Sequence, residues 1–489
     1  MEDITLWTRD NVGEVIPGVV TPLSWSVLEP LSNGAFRYFL RRMGVSHYPE
    51  AGLFGLFYGR VYLNMSRFQE LLHRFYPSEI GAGLDSGPRW AYRLRAIPTL
   101  LITGVRALWQ LLALPVQARR YIFNEPCHRD VEQSASPSAE NLLVMAARWQ
   151  EVCQQGMNVH LAITIFANLL YQLLDKLVER WRGDAEVTAA ELLTGLPNMR
   201  SAQVGRALHA LARRAAAMPE ARQILLDSPT KEVWWRLQAC PPAEALVAEL
   251  EAFLAEHGHA SQQEFELMVP RWRDDPTPVL GMLQGQVRAA GGVDAEEQMV
   301  VRQRATRAMR ACLTRGLERV MPLRWAFFAL LLSRTQEYSV LRENMKYAFV
   351  LTYGQLRENY LALAAQLVAD GRLSASDDIF FLRAEEVSDL VDGSLDALEV
   401  RGLIARQREE RERHLVTDAP LTTEEREREH CRQQAPQVDR PASRVLPGLA
   451  ASPGRVTARA RVVFDPSEAA LLQKGEVLVA PATNPAWSP

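Results

Sequence analysis

Apolar positions along this chain recur mostly at helical spacing. Ile165, Leu169, Leu173 and Leu177 form one row stepping by four, and Phe166, Leu170, Leu174 and Val178 form a second beside it, together making a broad apolar face. The helical signal begins near residue 136, where Pro137 after Ser136 suits a first turn, and Gly156 reads as a break. The same periodicity predicts helices over 202–217, 242–256, 296–320, 321–346 and 347–369, the last stopped at Asp370-Gly371. No fixed-length repeat recurs, which disfavours a solenoid.

The two ends of the chain are patterned differently. In WTRDNVGEVIPGVVTPLSWS the punctuation by Gly13, Pro17, Gly18 and Pro22 predicts a structured loop entering a helix, so residues 1 to 80 are read as irregular. In FYGRVYLNMSRF, Val61, Leu63 and Met65 alternate with Tyr62 and Asn64, which predicts a short strand with one buried side. Between 401 and 445 the runs RQREERERH and TTEEREREHCRQQ are dense in charge and are followed by Pro436, Pro441 and Ser443, the pattern of a solvated helix running into a linker. The period then changes. Ser452-Pro453-Gly454 suits a tight turn, Val456, Ala458, Ala460 and Val462 point to one side of a strand, and EVLVAP gives a second strand after a short helix at 466–473. Two strands and a helix do not bury both sides of a sheet, so this β-rich unit is expected to continue beyond residue 489. The expected fold class is mainly α: a large multi-helix domain with a few short strands over 1–400, a charged helix and linker over 401–445, and an incomplete β/α unit over 446–489.

Composition narrows the function classes. A length of 489 residues accommodates two to four domains at about 100–200 residues each. The net charge of -3 offers no strong basic field, so neither nucleic acid nor membrane is an expected partner. Cys127, Cys153, Cys240, Cys312 and Cys431 are scattered and form no CxxC pair. The N-terminal segment has acidic residues and no signal-peptide core, which leads to an expected cytoplasmic location. The most membrane-like stretches, AIPTLLITGVRALWQLLALP and WAFFALLL, are interrupted by Arg106 or too short to span, and are read as buried helices.

Three groups of residues are candidates for chemistry. Arg9, Asn11, Glu14, Thr21 and Trp25 lie in a polar ordered loop that can present donors and an aromatic wall to a ligand; equally, Asn11 and Thr21 can satisfy turn amides while Trp25 staples the next helix. His257, His259, Glu264 and Glu266 look superficially like metal ligands, but Gly258 suits a helix stop and no third ligand pattern supports zinc, so structural use is the expectation and no metal is assigned. Arg334, Glu337, Arg342, Glu343 and Arg357 fall at spacings that allow intrahelical pairs, whereas Arg334 and Arg342 turned inward would neutralise a phosphate.

Several ordered motifs resemble one family. GLAASPGRVTARARVV and GEVLVAPATNPAWSP are similar to the opening and a later stretch of the phosphohistidine swivelling domain of phosphoenolpyruvate-utilising enzymes. WTRDNVGEVIPGVVTPLSWS, GRVYLNMSRF, EHGHASQQEFELMVPRWRDDP and REN…GRLSASDDIFFLRAEEV resemble, in order, parts of the helical substrate domain of rifampicin phosphotransferases and phosphoenolpyruvate synthase-like proteins. The resemblance implies an ATP-dependent phosphotransferase, a factor in antibiotic resistance, that phosphorylates an acceptor hydroxyl through a carrier histidine and releases AMP and inorganic phosphate. That histidine would lie beyond residue 489, since the last histidine here is His430. No residue of this chain is therefore assigned as catalytic, no cofactor is assigned to it, and the chain alone is expected to be inactive. ATP and magnesium are expected of an ATP-grasp portion, here a separate partner protein. The acceptor would be a small molecule, rifamycin-like or another hydroxyl compound, in a pocket among the helices. His259 and Glu264 would orient its hydroxyl. Two departures stand out: Gly258-His259-Ala260-Ser261 replaces the family's Gly-His-Arg-Gly, removing a guanidinium, and Ala458 replaces a glycine of the swivelling domain. A non-catalytic ligand- or partner-binding protein and a pyruvate, water dikinase-like fragment are the alternatives.

Overall fold

The computed structural model describes residues 5–10, 12–45, 48, 52–75, 89–123, 138–289, 295–314, 323–424, 456–463, 473 and 475–480. In chain order, β1 (Leu6–Thr8) and the short α1 (Val12–Val15) lead into α2 (Pro22–Met43), the hairpin of β2 (Phe54–Phe57) and β3 (Arg60–Asn64), then α3 (Met65–Phe75) and α4 (Arg89–Phe123). Next come α5 (Ala139–Trp181), α6 (Ala189–Leu193) and a run of shorter helices, α7 (Arg200–Ala217), α8 (Pro219–Asp227), α9 (Thr230–Gln238), α10 (Glu244–His257) and α11 (Thr277–Ala289). The described chain closes with α12 (Ala295–Leu313), α13 (Leu323–Ala369), α14 (Ala384–Asp392), α15 (Ala397–Val416), β4 (Thr422–Glu424), β5 (Ala460–Val462) and β6 (Val477–Val479). The fold is mainly α with a few short strands, as the periodicity predicts.

Helices α5 and α13 form the spine. Of 43 and 47 residues, they run for about 65 and 70 Å at 1.5 Å per residue and pack along each other. Helix α13 spans both of the helices read at 321–346 and 347–369. The apolar pattern changes phase there because Ala348, Phe349, Val350, Thr352, Tyr353 and Gly354 are buried on more than one side, and no breaking residue interrupts the backbone. Gly156 is likewise not a break. It lies inside α5, where a Cβ would sit 2.3 Å from the Tyr121 hydroxyl oxygen, so glycine allows α4 to approach closely. That hydroxyl bonds Thr352 of α13 at 3.1 Å, tying three helices together. Helix α5 begins at Ala139 with Ser138 as its cap, while Ser136 and Pro137 lie outside the described residues. The second apolar row of α5 is core at Phe166, Leu174 and Val178, but Leu169 and Leu173 of the first row are exposed.

A separate apolar core holds α7 to α11 together, with Leu211, Leu225, Leu237, Leu250 and Leu283 at its centre. The N-terminal strands pair antiparallel in the order β2-β3-β1-β4. Strand β3 departs from the one-sided expectation. Val61 enters the main core while Tyr62 packs with Trp7 and Phe57 on the other side, and Met65 starts α3 instead of extending the strand. The charged arm α15 is anchored by buried Val400 and Ile404 and by Arg408 on Asp378 at 2.8 Å, and it returns the chain to pair Thr423 with Trp7. Near the C-terminus β5 and β6 pair in parallel, Arg461 on Glu476 bridging them. The turn at 452–454 and most of the helix at 466–473 lie outside the described residues. The stretch AIPTLLITGVRALWQLLALP, read as buried, is so only along one side: Leu114 is core, while Val105 and Trp109 are exposed. WAFFALLL is also split, with Phe328, Leu331 and Leu332 buried and Phe327 and Leu330 exposed.

Candidate functional site

Helix α10 ends at His257, and the chain turns sharply because Gly258 is there. A Cβ at 258 would meet the Leu254 carbonyl oxygen at 2.1 Å and the Arg273 Cβ at 2.8 Å. The loop that follows folds back on itself, the amide of Trp272 donating to the Ala260 carbonyl at 2.9 Å and that of Arg273 to the Gly258 carbonyl at 3.0 Å. Glu266 pins the loop from below. Its buried carboxylate accepts from the Thr21 amide (3.0 Å), the Thr21 and Ser24 hydroxyls (2.7 Å each) and the Met268 amide (2.9 Å). Arg357 of α13 holds the far end, donating to the Leu267 carbonyl at 2.8 Å and to Asp274 at 2.7 Å.

This braced loop forms one wall of a cleft. His257, His259, Ser261, Glu264 and Trp272 face α13, which contributes Glu343, Lys346, Tyr347 and Val350; Val204 and Leu208 of α7, Phe253 of α10 and Met282 and Gln286 of α11 complete the lining. The cleft encloses about 880 Å³ of atom-free space including its open mouth. The walls are apolar at Phe253, Trp272, Met282 and Val350, the composition usual for sites that take organic ligands.

Polar groups in the cleft are of two kinds. Some are paired: Lys346 Nζ contacts Glu264 at 2.7 Å, Arg342 contacts Glu343 at 3.0 Å, and the Tyr347 hydroxyl donates to the Glu256 carbonyl at 3.3 Å while lying 3.1 Å from His257 Nδ1. With the tyrosine proton so committed, the network assigns His257 Nδ1 as donor to the Tyr347 oxygen. Others are orphaned. Nδ1 of His259, Nε1 of Trp272 and Oε1 of Gln286 are buried without any hydrogen-bond partner. Buried polar groups are almost always satisfied, so three orphans among the lining residues of one cleft stand out. The His259 ring stands edge-on to Tyr347 at 4.5 Å and is kept neutral: burial, reinforced by Arg273, His257 and Arg271, pushes its pKa down to about 3. Burial also lowers His257.

The loop supplies a guanidinium from an unexpected place. Ala260 and Ser261 stand where the resemblance expects Arg-Gly, but the Ser261 hydroxyl accepts a 2.7 Å bond from Arg271 Nη1. Arg271 is almost wholly buried, its pKa lowered by burial to about 10, and its Nε and Nη2 have no partner. The Ala-Ser departure thus exchanges a charge at position 260 for a hydroxyl that holds a charge from ten residues later.

The structure distributes the sequence-level candidates unevenly. His259 and Glu264 line the cleft together. Arg342 borders it through Glu343 and, with Lys346, helps burial push His160 of α5 down to about 4. Thr21 is fully buried in the Glu266 clamp, its hydroxyl donating to that carboxylate and capping no turn amide, and Trp25 sits in the main core. Arg9 donates to the Pro17 carbonyl at 2.9 Å, away from the cleft. Asn11 and the Glu14 side chain lie outside the described residues. Arg334 pairs with Glu337 at 2.8 Å, about two turns before the cleft residues of α13. The four-residue metal-like group does not converge, since Glu266 faces Thr21 while Glu264 faces Lys346. Trp272, Gln286, Lys346, Tyr347 and Arg271 were not foreseen. Lys346, one turn beyond Arg342, was the one with a signal, lying on the same helix face.

A mainly helical protein with an amphipathic cleft and a buried neutral histidine in its wall has the kind of site that holds an organic ligand. Comparison with known proteins is consistent with this. Residues 160–343, which include every cleft residue up to Glu343, match the rifampicin phosphotransferase fourth domain. Over its whole length the chain is 25% identical to the prodigiosin synthesizing transferase PigC of Serratia marcescens and covers 57% of that protein. It is 26% identical over 74% of its length to rifampicin phosphotransferase of Streptomyces sviceus, covering 41% of it, and 29% identical over 68% to the chondramide synthase cmdD of Chondromyces crocatus, covering 9%. The chain is thus similar to rifampicin phosphotransferases, by one domain model and at low identity over most of its length. It spans about half or less of the length of these relatives.

Proposed function

We propose that this chain is the acceptor-binding part of an ATP-dependent phosphotransferase, and that the acceptor lies in the cleft with its hydroxyl on His259. The observation that carries this reading is the buried, neutral and unpartnered Nδ1 of His259 in the wall of an apolar cleft. An imidazole with a pKa near 3 is a weak base, so His259 orients the hydroxyl as a hydrogen-bond acceptor, and the hydroxyl proton passes to an oxygen of the incoming phosphoryl group as the new P–O bond forms. Phosphoryl transfer passes through a loose transition state that relies on positioning and charge stabilisation more than on proton abstraction. Lys346, held at the cleft by Glu264, supplies a positive charge for the incoming phosphoryl group. ATP and magnesium belong, on this reading, to an ATP-grasp portion, and the phosphoryl group arrives on a carrier histidine outside the described residues; no step here runs through either.

The acceptor itself is a mostly apolar molecule with a hydroxyl. Trp272 Nε1 asks it for a hydrogen-bond acceptor and Gln286 Oε1 for a donor. Pyruvate fits poorly, because a small anion gains little from Phe253, Met282 and Val350. Titration calorimetry of the full chain with a rifamycin and with smaller hydroxylated aromatic compounds, wild type against His259→Ala, tests the cleft. Adding ATP, magnesium and the ATP-grasp and carrier portions of a relative, followed by phosphorus NMR, tests the chemistry. Acceptor-dependent AMP and phosphoester formation supports the proposal. Binding without transfer favours a ligand-binding protein, and no binding by any compound sinks both readings.

A further inference from the structure

Helix α4 is apolar on two sides. Its inner side, with Leu114 and Ala118, closes on α5 and α13. On the other, Ile102, Val105, Leu108, Trp109, Leu112 and Val116 are each 53–68% exposed and follow one another for about 21 Å along the helix. Apolar residues scattered singly on a surface need no explanation, but a continuous stripe marks an interaction site. The sequence of α4 carries six arginines and not one carboxylate, in a protein whose net charge is -3.

A basic groove adjoins the stripe. It is lined on α2 by Gly34, Arg37, Tyr38, Arg41 and Arg42. Among the described residues none of these arginines pairs with a carboxylate; Arg37 and Arg42 lie instead over the rings of Tyr48 and Tyr38, at 5.2 and 5.1 Å. Groove and stripe share a border, because Tyr38 donates to Gln117 of α4 at 3.5 Å and Arg106 of α4 lies against Gly44 at the end of α2.

Charge selects the occupant. A second copy of the chain would set Arg37, Arg41, Arg42 and Arg106 against the same cations, and among the described residues of α4 and this groove only Arg119 has a carboxylate partner, Glu337. The stripe also offers only the Trp109 indole N–H as a side-chain hydrogen-bonding group, whereas protein interfaces carry about one hydrogen bond per 100–200 Å². Hydrocarbon bordered by phosphate meets both conditions, and tryptophan with flanking arginine is the composition of helices that lie in a membrane interface. We propose that α4 docks on an anionic phospholipid surface, the stripe at the acyl boundary and Arg37, Arg41 and Arg42 on headgroup phosphates. This revises the expectation of no membrane partner, and it does not depend on the acceptor reading.

Co-sedimentation of the full chain with phosphatidylcholine vesicles, with and without phosphatidylglycerol, tests it. Binding is expected to the anionic vesicles only and to fall with salt. Arg41→Gln with Arg42→Gln should weaken it roughly 30-fold, from about fivefold per arginine near such a surface. Val105→Asn with Leu112→Asn should abolish it. Circular dichroism and the thermal midpoint, unchanged in both pairs, would confirm folding. No binding to anionic vesicles, or binding that both pairs leave intact, overturns the proposal. So does a dimer in sedimentation velocity that Leu112→Asn dissolves without any vesicle binding, which would give the face to a second copy.

Discussion

His259 places a buried neutral imidazole in the cleft wall and thereby contributes to the protein's pH dependence. Its folded-state pKa of about 3 lies below the ordinary 6.5, and His160 follows at about 4 for the same reason, burial reinforced by nearby cations. Between those values and 6.5 the unfolded chain binds protons that the folded chain refuses. The stability these two rings contribute is therefore fully present above pH 6.5 and drains as pH falls toward 4, each group adding a slope of about 1.4 kcal/mol per pH unit. Carboxylates titrate in the same window, so the informative quantity is a difference. Urea unfolding of His259→Gln and of His160→Gln, from neutral pH down to about pH 5, should each show a slope shallower than wild type by about one proton; an unchanged slope would mean that the ring is solvated in the folded state. At the same scale, Trp272→Phe keeps the ring and removes the orphaned N–H. It should leave folding intact and weaken a bound acceptor by about 1–2 kcal/mol in calorimetry, the worth of one hydrogen bond.

Between elements, one carboxylate does what no periodicity reveals. Glu266 joins the N-terminal loop to the cleft loop across more than two hundred residues, accepting two backbone amides and two hydroxyls. Glu266→Gln turns half of that acceptor into a donor facing donors. A loss of about 2–4 kcal/mol in urea unfolding is expected, in line with breaking a buried charge-assisted network. This contact also explains what sequence reading can and cannot see. Helices α7, α10 and α13 were legible because their apolar faces repeat locally, and Gly371 stopped α13 where Asp370-Gly371 predicted. Where burial surrounds a helix the phase is lost, so α13 read as two, and Gly156 read as a break because a close helix approach and a helix end both call for glycine. Of the site, His259 and Glu264 were visible through the loop motif. Trp272, Gln286 and Lys346 meet them only through tertiary packing, and Thr21 was ambiguous because its bonding partner is so remote in sequence. The exchange at Ala260 and Ser261 looked like a lost guanidinium until folding brought Arg271 to the serine hydroxyl.

At the scale of the molecule the cleft is a seam. The core of α7 to α11 is separate from the one that α2, α5, α13 and α14 share, and the two meet through the braced loop and the α7 side of α13. Cooperative units of this kind open with their own free energies, and a ligand held between two of them stabilises the weaker one by mass action. Amide hydrogen exchange of the full chain should therefore show α7 to α11 exchanging together and faster than the centre of α13. A saturating acceptor, at about 100 times its dissociation constant, should raise the protection of that unit by about 2.7 kcal/mol. The increase should concentrate around residues 201–208, 253–286 and 343–350 and leave α4 unaltered. If protection rose uniformly, the two cores would be one folding unit; if it rose only in α4 and α2, the ligand would have bound the arginine-lined face and not the cleft. His259→Ala sharpens the reading, since it removes the bond to the ligand without touching the Glu266 clamp, and should cancel the ligand-induced protection while leaving exchange of the free protein nearly as it was.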